Sequence, residues 1–90
     1  MMYVTERARE SLRELLLEGT DDPSVSLRLG TAPSGQLGVF PDRERADDQV
    51  VEHEGARVLL VGKEVAPLVQ NTTIDYDDSG PEPGLVIREG

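Results

Sequence analysis

Ala8, Leu12, Leu15 and Leu16 recur at helical spacing among charged neighbours, so "VTERARESLRELLLEG" is predicted to form an amphipathic helix docked on a core. Thr5 suits its N-cap, and Glu6 places negative charge on the first turn, where the helix dipole favours it. Gly19 suits a left-handed C-terminal cap, and the Asp22-Pro23 turn prevents continuation. The polar face mixes both signs of charge, which favours core docking over a membrane surface or a partner groove.

From Ser24 the period changes to two. In "SVSLRLG" the side chains of Val25, Leu27 and Leu29 are expected inward, and Ser26 and Arg28 outward, as in a half-buried strand. After the loop "TAPSGQLG" comes a short strand, "LGVF", expected to stop at Pro41, and then "DRERADD" as a polar turn. "QVVEHEGARVLLVG" reads as two strands joined through His53-Glu54-Gly55-Ala56, with glycine available for positive φ. "KEVAPLVQN" predicts a short helix with Pro67 in its first turn, and "TTIDY" and "GLVIR" are the last strands, separated by "DDSGPEPG". The result is one domain over residues 1–90, mostly β with one good helix.

Composition narrows the chemistry. The chain has 90 residues and three aromatics, Tyr3, Phe40 and Tyr76, so its core must be aliphatic and small. It has no cysteine, which removes disulfides and thiolate metal sites. A net charge of −9 repels phosphate backbones and anionic headgroups, arguing against nucleic acid and membrane partners. "MMYVTERARE" carries no apolar leader segment and no apolar run approaches spanning length, so a cytoplasmic setting is expected.

No arrangement for nucleophilic catalysis is visible, because His53 is the only imidazole and sits beside a turn, where a solvated role is expected. The pairs Asp21-Asp22, Asp47-Asp48 and Asp77-Asp78 are expected to solvate turns and supply local hydrogen bonds. They leave open a weak Ca²⁺ or Mg²⁺ site, although their spacing matches no EF-hand loop. The loop "APSGQLG" leads into a strand and lacks the lysine of a Walker loop, so it is no phosphate cradle. Gly35 and Gly38 are expected to take conformations that other residues avoid.

Taken in order, the segments resemble the A-type iron–sulfur carrier family, the HesB/IscA-like domain. The helix "VTERARESLRELL" resembles that family's opening, and "SLRLGTAPSGQLGVF" its strand and Gly-rich loop. The remainder resembles its charged turn, hairpin, Pro-containing helix and closing strands, with "IDY" the most specific piece. The resemblance covers nearly the whole chain and implies an α+β fold: a twisted, barrel-like β structure with an N-terminal helix and one short helix.

The family's cluster-bearing members use a cysteine in the Gly-rich loop and a Cys-Gly-Cys near the C-terminus. The position nearest the first is Pro33, followed by Ser34 and Gly35, and the residues up to Gly90 contain no counterpart of the second. Soft thiolates hold iron–sulfur clusters, and hydroxyls do not replace them. The loop is thus degenerate: no ligating residue, catalytic residue or cofactor is carried over. The expected function is a non-catalytic, cysteine-less relative, a protein-binding or regulatory module linked to cluster biogenesis. Its expected partners are iron–sulfur assembly or apo-target proteins and a second copy in a weak homodimer. The alternative is a hard-metal or small-ligand binder using the acidic loops.

Overall fold

Thr5 starts the longest element as expected. Its hydroxyl accepts a hydrogen bond from the Ala8 N–H at 3.1 Å, and helix α1 runs over Glu6–Gly19. The computed structural model describes residues 2–89 except 32, 34–36, 78 and 80–83. Ala8 and Leu12 are fully buried, but Leu15 is 42% and Leu17 66% exposed, so the docked stripe is narrower than the leucine run suggests. The helix does not end on a left-handed Gly19. Thr20 caps it in extended conformation, its N–H donating to the Leu16 carbonyl at 3.0 Å, so no positive φ is needed.

The strands are β1 (Tyr3–Val4), β2 (Val25–Thr31), β3 (Leu37–Arg43), β4 (Gln49–His53), β5 (Ala56–Val61), β6 (Thr72–Asp77) and β7 (Gly84–Glu89), with α2 (Ala66–Val69) before β6. Pro67 lies in the first turn of α2, where its missing N–H costs nothing. Among the described residues the strands form two open sheets, β1-β6-β7 and β3-β2-β5-β4. The architecture is α+β as expected, with strongly non-local pairing: β1 lies parallel to β6, and β2 parallel to β5. Between the sheets and α1 sits one aliphatic cluster, with Leu27, Leu29, Val58, Leu59 and Val61 from the larger sheet and Val4 and Ile74 from the smaller.

Two strand limits differ from expectation. β3 does not stop at Pro41 but continues to Arg43, with Pro41 opposite Leu27. It is an edge strand, and proline is tolerated at an edge because its absent N–H can be one that would face away from the sheet. Gly38 keeps ordinary strand geometry there, opposite Gly30, without positive φ. A Cβ on Gly30 would come within 2.9 Å of the half-exposed Phe40 ring, so a larger residue there would push that ring aside.

The β4–β5 turn is the two-residue Glu54-Gly55, with φ of 51° and 83°. Both positive values fit the turn whose twist suits a hairpin. Because the turn takes only two residues, His53 belongs to β4, on the same face as Val51, and it is 8% exposed rather than a solvated turn residue. In the register Val51 opposes Leu59 and Glu52 opposes Arg57, leaving Val58 unpaired as a bulge. That extra residue lets both Val58 and Leu59 enter the core. Nothing lies within 4 Å of a Cβ built on Gly55, so Gly55→Ala should cost about 1–2 kcal/mol through backbone strain alone. Urea denaturation of the variant checks this, and a neutral result would show that the turn relaxes to another type.

Candidate functional site

The sequence-predicted loop is only partly described. Pro33 is an exposed turn residue, and Ser34 and Gly35 lie outside the described residues. Among the described residues the acidic pairs do not converge. Asp22 accepts hydrogen bonds from the Ser24 N–H at 2.9 Å and its hydroxyl at 2.7 Å, and these hold its carboxyl below the usual range. Asp77 is held low in the same manner by the hydroxyl and N–H of Ser79. Asp47 is exposed, 3.9 Å from Lys63, and Asp78 lies outside the described residues. Among the described residues no group of three or more His, Cys, Asp or Glu side chains could hold a metal ion.

What the structure does bring together centres on Arg28. Its side chain was expected in water; it leaves the outer face of β2 as the alternation requires, yet it is only 9% exposed. β3 and β4 lie at opposite edges of the sheet, so the chain between them, residues 44–48, must cross β2 and β5. It crosses over the outer face and covers Arg28. The stretch expected to be a plain polar turn is therefore a strap, and its reason is topological.

Arg28 holds both ends of that strap. Nε donates to Asp42 Oδ2 at 2.6 Å, Nη1 and Nη2 donate to the two oxygens of Asp48 at 2.8 and 2.7 Å, and Nη2 also donates to the Arg43 carbonyl at 3.0 Å. Asp48, 3% exposed, also accepts the Arg45 N–H at 2.7 Å. The paired guanidinium, against the opposing effect of burial, lowers the Asp48 carboxyl from 3.8 to about 2, and Asp48 in turn raises Arg28. Asp42 is lowered first by the Arg43 N–H and then by Arg28. Gly62 completes the fit: a Cβ there would stand 3.2 Å from Arg28 Nη1. A cavity of about 130 Å³ adjoins the pair, lined in part by Arg45, Asp47, Lys63 and Glu64.

The bidentate, buried pairing with Asp48 satisfies both charges, while Asp42, held by one bond and partly exposed, adds a second anchor to the guanidinium. Sequence pattern could not show it, since Arg28, Asp42 and Asp48 are joined only once the crossover is known.

A second network explains the aspartate of "IDY". The Thr5 hydroxyl, already capping α1, donates to Asp75 Oδ1 at 2.7 Å, and the Thr5 N–H donates to the Ile74 carbonyl at 3.0 Å. The Tyr76 N–H also reaches Asp75 Oδ1, at 2.8 Å. The Thr5 hydroxyl first, then the Tyr76 N–H, hold the Asp75 carboxyl low. Asp75 thus ties the start of α1 to β6 and is structural.

No protein-family model matches the chain. It is 36% identical over 92 residues to protein Rv2204c of Mycobacterium tuberculosis and to protein Mb2227c of Mycobacterium bovis, spanning 96% of this chain and 75% of either relative. In structure it is similar to SufA of Escherichia coli, described as involved in biosynthesis of iron–sulfur clusters, with a TM-score of 0.62 and 23% identity over 98% of this chain and 79% of that one. It is similar to IscA with a [2Fe-2S] cluster (TM-score 0.63, 15% identity, 99% of this chain and 85% of that one). A protein from Aquifex aeolicus reaches a TM-score of 0.70 at 23% identity, over 99% of this chain and 91% of that one. These likenesses establish an IscA-like fold. The thiol ligands expected of a cluster carrier are absent from the sequence, and the residues present do not fit a cluster.

Proposed function

The chain belongs to the family of the mycobacterial protein Rv2204c, and we propose that it is a non-catalytic, protein-binding module of iron–sulfur cluster biogenesis that does not itself carry the cluster. One observation carries the reading: the fold of SufA and IscA extends over 98% of the chain or more, in a sequence with no cysteine. Retaining such a fold while losing the thiols keeps a shape that assembly or apo-target proteins can bind, and gives up the chemistry of ligation. Of the paired aspartates, Asp48, Asp22 and Asp77 are engaged with Arg28, Ser24 and Ser79, and no acidic cluster forms among the described residues, which disfavours the acidic-loop alternative. Weak self-association into a homodimer belongs to the same reading. The setting we propose is cytoplasmic; no described helix is long and apolar enough to cross a membrane.

The test is cluster transfer from a loaded carrier of this fold to an apo-acceptor, followed with increasing amounts of this protein. A saturable change in transfer rate, with no iron retained by the protein itself, is the expected result. A rate unaffected at large excess, with both partners unbound in sedimentation, would contradict the proposal.

A further inference from the structure

The connection 44–48 is attached to the rest of the molecule in an unusual way. Glu44, Arg45, Ala46 and Asp47 are exposed, and the segment contributes no apolar side chain to the core cluster. Two of its attachments are solvent-facing ion pairs, Glu44 with Arg57 at 2.7 Å and Asp47 with Lys63 at 3.9 Å, and exposed pairs of this kind hold little. Its third ion pair, Arg45 with Asp42 at 3.6 Å, lies between the strap and the end of β3 that leads into it. The grip on the body is therefore concentrated in the bidentate Arg28–Asp48 pair.

Leu60 lies on the face of the sheet that the strap crosses. It opposes Arg28 on one side and Val50 on the other, so it shares the outer face of the sheet. It is fully buried yet stands apart from the core cluster, which occupies the inner face. Ser26 is on the same outer face, 5% exposed, with its hydroxyl donating to the Arg57 carbonyl at 3.0 Å. A buried apolar residue, a buried arginine and a polar cover held mainly by one guanidinium make a unit that can open without disturbing the inner core.

We propose that residues 44–48 form a displaceable strap, which opens between Arg43 and Gln49 while the core stays folded, and so uncovers Leu60 and Arg28. Opening is favourable locally once the pair is broken, because water then reaches a guanidinium that would otherwise stay buried without a partner. The lack of cysteine makes this directly measurable, since one introduced thiol is the only thiol.

The experiment labels Leu60→Cys with a maleimide under native conditions, beside Val58→Cys as a reporter inside the core and Ser26→Cys as a second, conservative reporter under the strap. Labelling of Leu60→Cys and Ser26→Cys should exceed that of Val58→Cys by about tenfold or more and be nearly independent of low urea, as for local opening. Adding Asp48→Asn destabilises the closed state relative to both the strap-open and the unfolded state, so it should raise the first two rates by about a hundredfold while they stay nearly independent of low urea and well above the Val58→Cys rate, with the far-ultraviolet circular dichroism retained. If Leu60→Cys fails to fold, the Ser26→Cys rate decides. Equal rates at all three positions, all with the urea dependence of global unfolding, would overturn the strap.

Discussion

Leu12→Ala is expected to lower the stability of the folded chain by about 2–5 kcal/mol. Leu12 is fully buried in the cluster between α1 and the sheets, so truncation removes apolar contacts and leaves a cavity that two facing sheets cannot easily close. For a domain of this size that is a large fraction of the roughly 5–13 kcal/mol available. Leu17→Ala is the control. At 66% exposure its side chain makes few contacts, and its loss should stay within about 0.5 kcal/mol. Urea titrations of both variants measure the contrast. Equal, small effects would mean that α1 does not dock through the Ala8–Leu12 stripe.

The second large effect is electrostatic and depends on pH. Holding the Asp48 carboxyl at about 2 rather than 3.8 corresponds to about 2 kcal/mol of folding stability at neutral pH. The folded-state value is the lower one, so this contribution is fully present above about pH 4 and fades as the pH falls towards 2. Asp48→Asn removes the charge and leaves Arg28 with only Asp42 and a carbonyl. Breaking a buried pair from one side usually costs about 3–5 kcal/mol, and water entering under an opened strap places this case near the lower end. The gap between wild type and variant should therefore be roughly 3 kcal/mol at pH 7 and shrink to about half that near pH 2.5. A gap that stays constant with pH would show that Asp48 is not held by Arg28 as a charge.

Much of this fold could be read locally. The Thr5 cap, the helical stripe, the Glu54-Gly55 hairpin and the Pro67 turn each depend on residues within a few positions of one another. Long-range pairing defeated the same reading. β1 is two residues long and exists because β6 lies beside it, 70 positions away in sequence. Arg28 satisfies the alternation of β2, and only the crossover from β3 to β4 buries it. His53 was misplaced by the assumption of a wider turn; a two-residue turn carries it onto the inward face. The resemblance placed the fold correctly and marked "IDY", but the reason for its aspartate, the bond from Thr5, needed both partners in space. In the degenerate loop, Pro33 is exposed at a turn.

That this chain keeps the carrier fold without the carrier's chemistry is tested most directly by anaerobic reconstitution. The purified protein is incubated with ferrous iron, sulfide and a thiol reductant, desalted, and analysed for iron, acid-labile sulfide and visible absorption. With no thiolate to hold a cluster, the protein should emerge colourless and without bound iron or sulfide. A stable brown species with stoichiometric iron and sulfide would contradict the account.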